Sequence, residues 1–289
     1  MSVPAFLAGY QRPVHEEIAR LITGRGPASS AVERSMAYTA LAPSKQVRAA
    51  LVLLCAELCR GGVARAVPAA AAIELVHASS LILDDLPSMD DAPLRRGRRA
   101  NHLEFGEPVA ILAAFGLLNL AYGSIAHAYE PALASAIATR ISDAVGPAGL
   151  IGGQALDLEA TDRPIDFETL ERIHRGKTGA LFVAAAACGA LAAGAAAEPL
   201  AALSAYAKNL GLAFQIVDDL LDVAGDPQET GKAIRVDARK TTFVSFSGVD
   251  GARQLAAELC HTADRALAPF GAKADRLREL SAFVAARRL

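Results

Sequence analysis

An all-α fold is what this sequence predicts, and three observations predict it. Apolar residues recur at spacings of three and four through long segments rich in Ala, Leu, Glu and Arg. No alternating apolar-polar run of useful length offers a strand. Gly or Pro punctuates the joints between helical segments.

Taken in order, the first helix covers 4–23 and stops at Gly24-Arg25-Gly26-Pro27. Helices over 29–38 and 45–60 follow, the second closed by Gly61-Gly62. An apolar helix over 67–87 runs into Pro87, which lacks a backbone donor and crowds the preceding turn. Irregular chain from Pro93 to Gly97 and the break Gly106 to Pro108 precede a helix over 108–127. Further helices occupy 130–144, 146–160, 167–174, 178–193, 197–223, 250–265 and 274–287. The longest irregular stretch, Gly225 to Lys240, is dense in charge and stands directly behind an acidic cluster. None of these breaks has the length of an interdomain linker, so residues 1–289 read as one domain.

The chain is 53% hydrophobic and 21% charged with a formal net charge of -2. That leaves ample material for a core and no basic footprint for nucleic acid. An anionic ligand must therefore be held by a local cation cluster or by metal ions. The small and apolar run Ala180 to Ala197 has the length of a membrane span, but Ala and Gly contribute little to insertion and no aromatic belt flanks it. It reads as a closely packed core helix, with no transmembrane segment. Cys55, Cys59, Cys188 and Cys260 lack the spacing of a zinc site and read as small core residues in a reducing, cytoplasmic setting.

Two acidic clusters carry the chemistry. Asp84-Asp85 ends the run Leu81-Ile82-Leu83, with Asp90-Asp91 six residues on; a bulge at Pro87 brings Asp90 back towards Asp84. The second cluster, Asp218-Asp219-Leu220-Leu221-Asp222, puts Asp218 and Asp222 on one helix face. Carboxylates on apolar helices need compensation, and all-oxygen donors with no His or Cys beside them favour magnesium bridging to phosphate. Cations stand near both clusters: Leu94-Arg95-Arg96-Gly97-Arg98-Arg99 just downstream, Lys45 and Arg48 three apart, Lys177-Thr178, Lys232 and Lys240. His77 lies seven residues before Asp84, on the same side of the helix. Arg suits phosphate through its planar fork, and Gly97 permits a tight turn. The chemistry implied is a polyanion held between carboxylate-bound metal and basic side chains.

From about Lys45 to Lys240 the chain resembles the trans-prenyl diphosphate synthases. Asp84-Asp85 with Asp90, then Arg95-Arg96-Gly97, match the first aspartate-rich motif, and Phe214-Gln215 leading into Asp218-Asp219-Leu220-Leu221-Asp222 match the second. Gly152-Gly153-Gln154-Ala155-Leu156-Asp157-Leu158 and Lys177-Thr178-Gly179-Ala180-Leu181-Phe182 lie between them in family order. The resemblance implies a helical bundle of the isoprenoid synthase type with a central substrate cavity. It implies head-to-tail condensation of isopentenyl diphosphate with an allylic diphosphate, three magnesium ions, and a homodimer. Carried over, Asp84, Asp85, Asp90 and Asp218 hold the ions, with Asp222 and Gln154 more distant or acting through water. Arg95, Lys177 and Lys232 contact the allylic diphosphate; Lys45, Arg48, His77 and Arg96 bind isopentenyl diphosphate, with Lys240 also on the substrate. Thr178 and Gln215 face the reacting carbons.

The chain departs from the family pattern at Pro43-Ser44, Gln46, Ala114-Phe115 and Arg239. Small Ser79, five residues before Asp84, implies a deep tunnel floor and geranylgeranyl diphosphate as product; a floor at Phe115 would instead imply farnesyl diphosphate. The intact second acidic cluster and the Lys45, Arg48, His77 group argue against a terpene cyclase, and the Arg95-Arg96-Gly97 context against a head-to-head synthase. Retention of every acid of the motifs argues against a non-catalytic regulatory subunit.

Overall fold

A computed structural model describes residues 5–23, 30–224 and 241–286. Its helices are α1 (Ala5–Ile22), α2 (Ala31–Ala40), α3 (Val47–Leu58), α4 (Val63–Asp84), α5 (Asn101–Phe105), α6 (Glu107–Ala128), α7 (Pro131–Val145), α8 (Leu150–Ala160), α9 (Phe167–His174), α10 (Ala180–Ala192), α11 (Ala197–Ala224), α12 (Phe243–Ala266) and α13 (Asp275–Ala285). The fold is all-α, as the periodicity predicts. One exception is a two-residue ladder, β1 (Leu94–Arg95) paired antiparallel with β2 (Arg98–Arg99). Arg96 and Gly97 between them have φ of 54° and 73°, the left-handed pair that a two-residue hairpin turn demands. Strands of two residues carry no alternation, so the sequence pattern does not reveal them.

The centre of the bundle is α10. Leu181, Phe182, Ala184 through Ala190 and Ala192 are buried on all sides, against α3, α4, α7 and α11. A Cβ on Gly189 would lie 2.1 Å from the Val52 carbonyl oxygen, so the α3 and α10 backbones touch there. The apolar run predicted as core is core over Ala180–Ala192, whereas Gly194, Ala196 and Ala197 at its end are exposed. Its helix has 13 residues, about 20 Å long, short of the ~30 Å hydrocarbon layer. Three other described helices, α4, α6 and most of α11, are long and apolar enough to cross a membrane by composition; 72% of the α4 window is buried inside the protein.

Helix α4 sits between α3, α6 and α10. Pro68 lies inside it, and the Tyr129 hydroxyl enters the ladder beside it, accepting from the Ala69 N–H (3.3 Å) and donating to the Arg65 carbonyl (2.7 Å). That insertion replaces a helical bond the proline region cannot hold in ordinary geometry. A second, smaller apolar cluster joins Leu170 of α9, Ile216, Val217, Leu220 and Leu221 of α11, and Phe243, Ala252 and Ala256 of α12. It backs the second acidic cluster. The predicted helix over 250–265 begins earlier, at Phe243, because Thr242 and Ser245 form a reciprocal capping box; Gly248 (φ 70°, ψ 176°) then kinks it. All four cysteines are free, and Cys55, Cys188 and Cys260 are buried, in line with their reading as core residues.

Candidate active site

The predicted helix over 67–87 ends at Asp84, three residues early, because Pro87 offers no donor to continue the ladder. The chain then folds back, and the Asp90 N–H donates to the Asp84 carbonyl at 2.9 Å. The bulge thus returns Asp90 to Asp84, as its position after Pro87 requires.

The adjacent acids have different tasks. Asp85 is 2% exposed, and both its oxygens accept from Arg95, the Nε bonds being 2.9 and 3.1 Å and Nη2 adding a third. The lone pairs on its Arg95 side are thus used, and it anchors that guanidinium. Asp84 faces the other way. Burial raises its pKa to about 6, with Lys177 and Arg95 opposing and Asp90 and Asp85 reinforcing the rise. Those same fields show that Asp84, Asp85, Asp90, Arg95 and Lys177 share one space.

Lys177 and Thr178 reach that space on a π-helical turn, Arg175–Gly179. Such single turns recur at functional sites because they re-aim the side chains they carry. Gly153 makes the turn possible: a Cβ there would lie 2.1 Å from the Lys177 nitrogen and 2.7 Å from the Gly176 carbonyl carbon. Four residues after Gly153, Asp157 accepts from Lys177 Nζ at 2.7 Å. On the far side, Thr178 Oγ1 donates to Gln215 Oε1 (2.9 Å), Gln215 Nε2 donates to Asp219 Oδ1 (3.0 Å), and Asp219 Oδ2 accepts the Phe243 N–H (3.0 Å). This chain of bonds ties the π turn to α11 and α12 and fixes the Gln215 amide with its oxygen towards Thr178. Asp219 is 2% exposed, whereas Asp218 and, one turn on, Asp222 are only partly buried.

A second group of cations lies beside the first. Arg48 Nη1 is 3.4 Å from His77 Nε2. Burial, then the fields of Arg48, Arg96 and Arg95, push the His77 pKa well below its ordinary value, so the ring is neutral. Glu74, one turn before His77, is buried and accepts the Ala49 N–H at 3.0 Å. It caps α3 from a distance, since the N-cap Gln46 (φ 45°) makes no side-chain cap. Lys45 stands at the entrance to α3 with Nζ 5.8 Å from the centre of the Phe283 ring of α13; Gln11 of α1 donates to the Ser44 and Lys45 carbonyls. Lys232, Lys240 and Arg239 lie outside the described residues.

Of the two residues that sequence connects with tunnel depth, Ser79 is 3% exposed and donates to the Ala114 carbonyl of α6 at 2.8 Å. Phe115 turns outward and is 66% exposed, so it walls no interior space within one chain. Three residues to which the sequence assigned no role of their own stand beside these groups: Glu74, and Asp157 and Asp219 from within the quoted motifs. Each is an acid on an apolar helix face, and that cost was the signal available in the sequence.

The donors here are oxygens. Among the described residues no three His, Cys, Asp or Glu side chains converge on one point by themselves. Gln154 Oε1 is buried without a hydrogen-bond partner, its Nε2 resting on Met89 Sδ at 3.6 Å. An acceptor of that kind, with a buried ionisable Asp84 nearby, fits hydrated magnesium bridged through phosphate rather than a closed protein cage.

The sequence profile of the polyprenyl synthetase family matches residues 29–262. The chain belongs to the polyprenyl synthetase family. It is accordingly a trans-prenyltransferase. Among relatives, farnesyl diphosphate synthase of Geobacillus stearothermophilus is 37% identical, over 99% of this chain and 98% of the relative. Geranylgeranyl pyrophosphate synthase 11 of Arabidopsis thaliana is 40% identical over 89% of this chain and 74% of the relative. The structure of geranyltransferase from Helicobacter pylori complexed with magnesium and isoprenyl diphosphate superposes with a TM-score of 0.84, at 28% identity, covering 98% and 97% of the two chains. This polyprenyl synthetase thus shares its helical frame with a synthase that was solved with magnesium and a prenyl diphosphate.

Proposed function

We propose that the protein condenses isopentenyl diphosphate head to tail with an allylic diphosphate and delivers geranylgeranyl diphosphate. The observation that carries this reading is the side-by-side arrangement of an acid-rich space at Asp84, Asp90, Arg95 and Lys177 with a second group whose open face is made by the guanidiniums of Arg48 and Arg96 and the neutral ring of His77. The first suits a diphosphate held through metal, the second a diphosphate held directly. Asp84 and Asp90 from the α4 loop and Asp218 from α11, with Asp222 one turn behind, would hold three magnesium ions. Bound there, magnesium supplies positive charge to the departing pyrophosphate.

The protein's own groups do the rest. Arg95, aimed by Asp85, and Lys177, aimed by Asp157, grip the allylic diphosphate and stabilise the charge that builds on it as the carbon–oxygen bond breaks. The Gln215 and Thr178 oxygens stand where positive charge develops on carbon. Neutral His77 and the two guanidiniums orient isopentenyl diphosphate, whose double bond attacks the allylic cation. The pyrophosphate released in the first step takes the proton and restores an alkene. The apolar packing of α4, α6 and α10 keeps water from the cation.

The test is to incubate the protein with magnesium, isopentenyl diphosphate and each of dimethylallyl, geranyl and farnesyl diphosphate, and to weigh the products. A twenty-carbon diphosphate is expected. A product ending at fifteen carbons overturns the length assignment alone, and no elongation with any starter overturns the activity in favour of a regulatory subunit. Ser79→Phe is expected to end synthesis at fifteen carbons or fewer, read from the same product masses. It also breaks the bond to Ala114 and overpacks the contact by about 1–3 kcal/mol.

Proton linkage gives a further expectation. The folded pKa of Asp84, about 6, exceeds the ordinary aspartate value of 3.8. The folded state therefore binds this proton more tightly than the unfolded chain. Its stabilising contribution is full below the unfolded value and is lost as pH rises through 6. Metal must displace the same proton. The rise in melting temperature on adding magnesium with inorganic pyrophosphate should grow between pH 5 and 7.5; an equal rise at both would contradict the role of Asp84.

Ile111, Leu112 and Phe115 lie on one outer face of α6, the last two 56% and 66% exposed. An apolar face of that kind supports a homodimer. Leu112→Glu with Phe115→Glu should halve the mass measured by light scattering. Four free cysteines support a cytoplasmic location, and no break has the form of a linker, which supports a single domain.

A further inference from the structure

Arg48 is held in an unusual way. Its guanidinium carbon is 4.8 Å from the centre of the Phe182 ring and 5.8 Å from that of Phe214, while Nη1 approaches His77 Nε2 at 3.4 Å. The two rings are in contact with each other, centres 5.2 Å apart and tilted by 47°. Phe182 is fully buried on α10, one turn beyond Thr178, and Phe214 immediately precedes Gln215 on α11. The platform under Arg48 is thus built from the same two helices that carry the Thr178–Gln215 pair.

The choice of partner has a chemical reason. Arg95 and Arg96 surround the same space, and their fields are strong enough to act on His77. Buried Glu74 offsets part of their repulsion of Arg48, since its carboxyl feels both Arg48 and Arg96. A direct bond from a carboxylate would occupy in-plane N–H groups, and those are the donors that recognise a diphosphate. An aromatic ring attracts the guanidinium through its face and takes up none of them.

We infer that Phe182 is a positioning residue for the homoallylic substrate: its ring holds Arg48 by a cation–π contact so that the guanidinium edge addresses the diphosphate of isopentenyl diphosphate. The inference rests on the condensation reading above and adds to it a residue that touches neither substrate. It also predicts selectivity between substrates, because Arg95 and Lys177 are held by carboxylates and not by rings.

The experiment replaces Phe182 with 4-fluoro-, 3,5-difluoro- and 3,4,5-trifluorophenylalanine, which drain the ring face of negative charge while nearly keeping its volume. The KM for isopentenyl diphosphate should climb along the series by about three- to tenfold in all. The KM for the allylic diphosphate and the melting temperature should stay at wild-type values. Phe182→Leu, which removes the ring, should raise the KM for isopentenyl diphosphate at least as far, and Phe182→Tyr should restore most of it. A flat series in a protein whose wild type elongates overturns the inference and leaves the condensation reading intact. A parallel rise in both KM values, or a melting temperature that falls in step, assigns the ring to packing and also overturns it. A wild type that does not elongate overturns the parent reading and this one with it.

Discussion

Replacing Asp84 with Asn should lower kcat by about a thousandfold and, at neutral pH, raise the melting temperature of the metal-free protein. The two effects have one cause. Asp84 is a mostly buried carboxyl with Asp85 and Asp90 beside it, which is why its pKa stands near 6 rather than near 4. Ionised in that position it is costly, and the free protein bears the cost until a cation arrives. The amide has the same shape and no charge, so folding is relieved while the metal loses a ligand that nothing else supplies. Arg95 cannot compensate, because it is already committed to Asp85. Losing one preorganised charge contact to a developing anion costs about 10²–10³ in rate, and losing the metal with it costs more. Steady-state turnover and differential scanning on the same preparations decide the matter. Activity within tenfold of wild type would refute the assignment. A lowered melting temperature would show that Asp84 serves the fold. Asp85→Asn should behave differently, losing stability because it frees a buried guanidinium.

That contrast marks where sequence reading stops. The all-α class, the core character of the Ala180–Ala192 segment and the return of Asp90 past Pro87 were legible, because periodicity, small residues and a missing N–H each have one local consequence. What a pair of adjacent acids does is not local. Neighbours on a helix point about 100° apart, so in Asp84-Asp85 and in Asp218-Asp219 the two members must face different surroundings. In both pairs the second member is 2% exposed and holds structure, Asp85 through Arg95 and Asp219 through Gln215 and the Phe243 N–H. The sequence motif contains both acids with equal weight; only packing separates the presented one from the anchoring one. One clue was available, since Asp219 is four residues from Gln215 and hence within reach of its amide. Phe115 is the converse case. Next to Ala114 in sequence, it points away from the interior that Ala114 lines, and nothing in an apolar helix with no polar stripe tells its inner face from its outer one.

Gly153→Ala should abolish detectable turnover and cost about 3 kcal/mol of stability. The added carbon would meet the Lys177 nitrogen at 2.1 Å and the Gly176 carbonyl carbon at 2.7 Å, and both are backbone atoms that no rotamer change can move. Either α8 or the π turn must shift. If α8 shifts, Asp157 leaves Lys177 Nζ; if the turn shifts, Thr178 leaves Gln215, and the path of bonds to Asp219 and the Phe243 N–H opens. In both cases the cation and the oxygen proposed to act on the allylic substrate are displaced together. A misplacement of about 1 Å costs on the order of a hundredfold in rate, before the stability loss is counted. Gly123→Ala is the matched control. That glycine also lies inside a helix, α6, but an added Cβ meets nothing within 4 Å. It should leave turnover unchanged and add about 0.5–1 kcal/mol of stability, the ordinary helical preference for Ala over Gly. Chemical denaturation of the two variants separates the outcomes. If Gly153→Ala behaves like Gly123→Ala, the close approach of α8 to the π turn is not what holds Lys177 and Thr178 in place. If it fails as expected while Gly123→Ala gains, the glycine pair Gly152-Gly153 exists for backbone contact and not for chain flexibility.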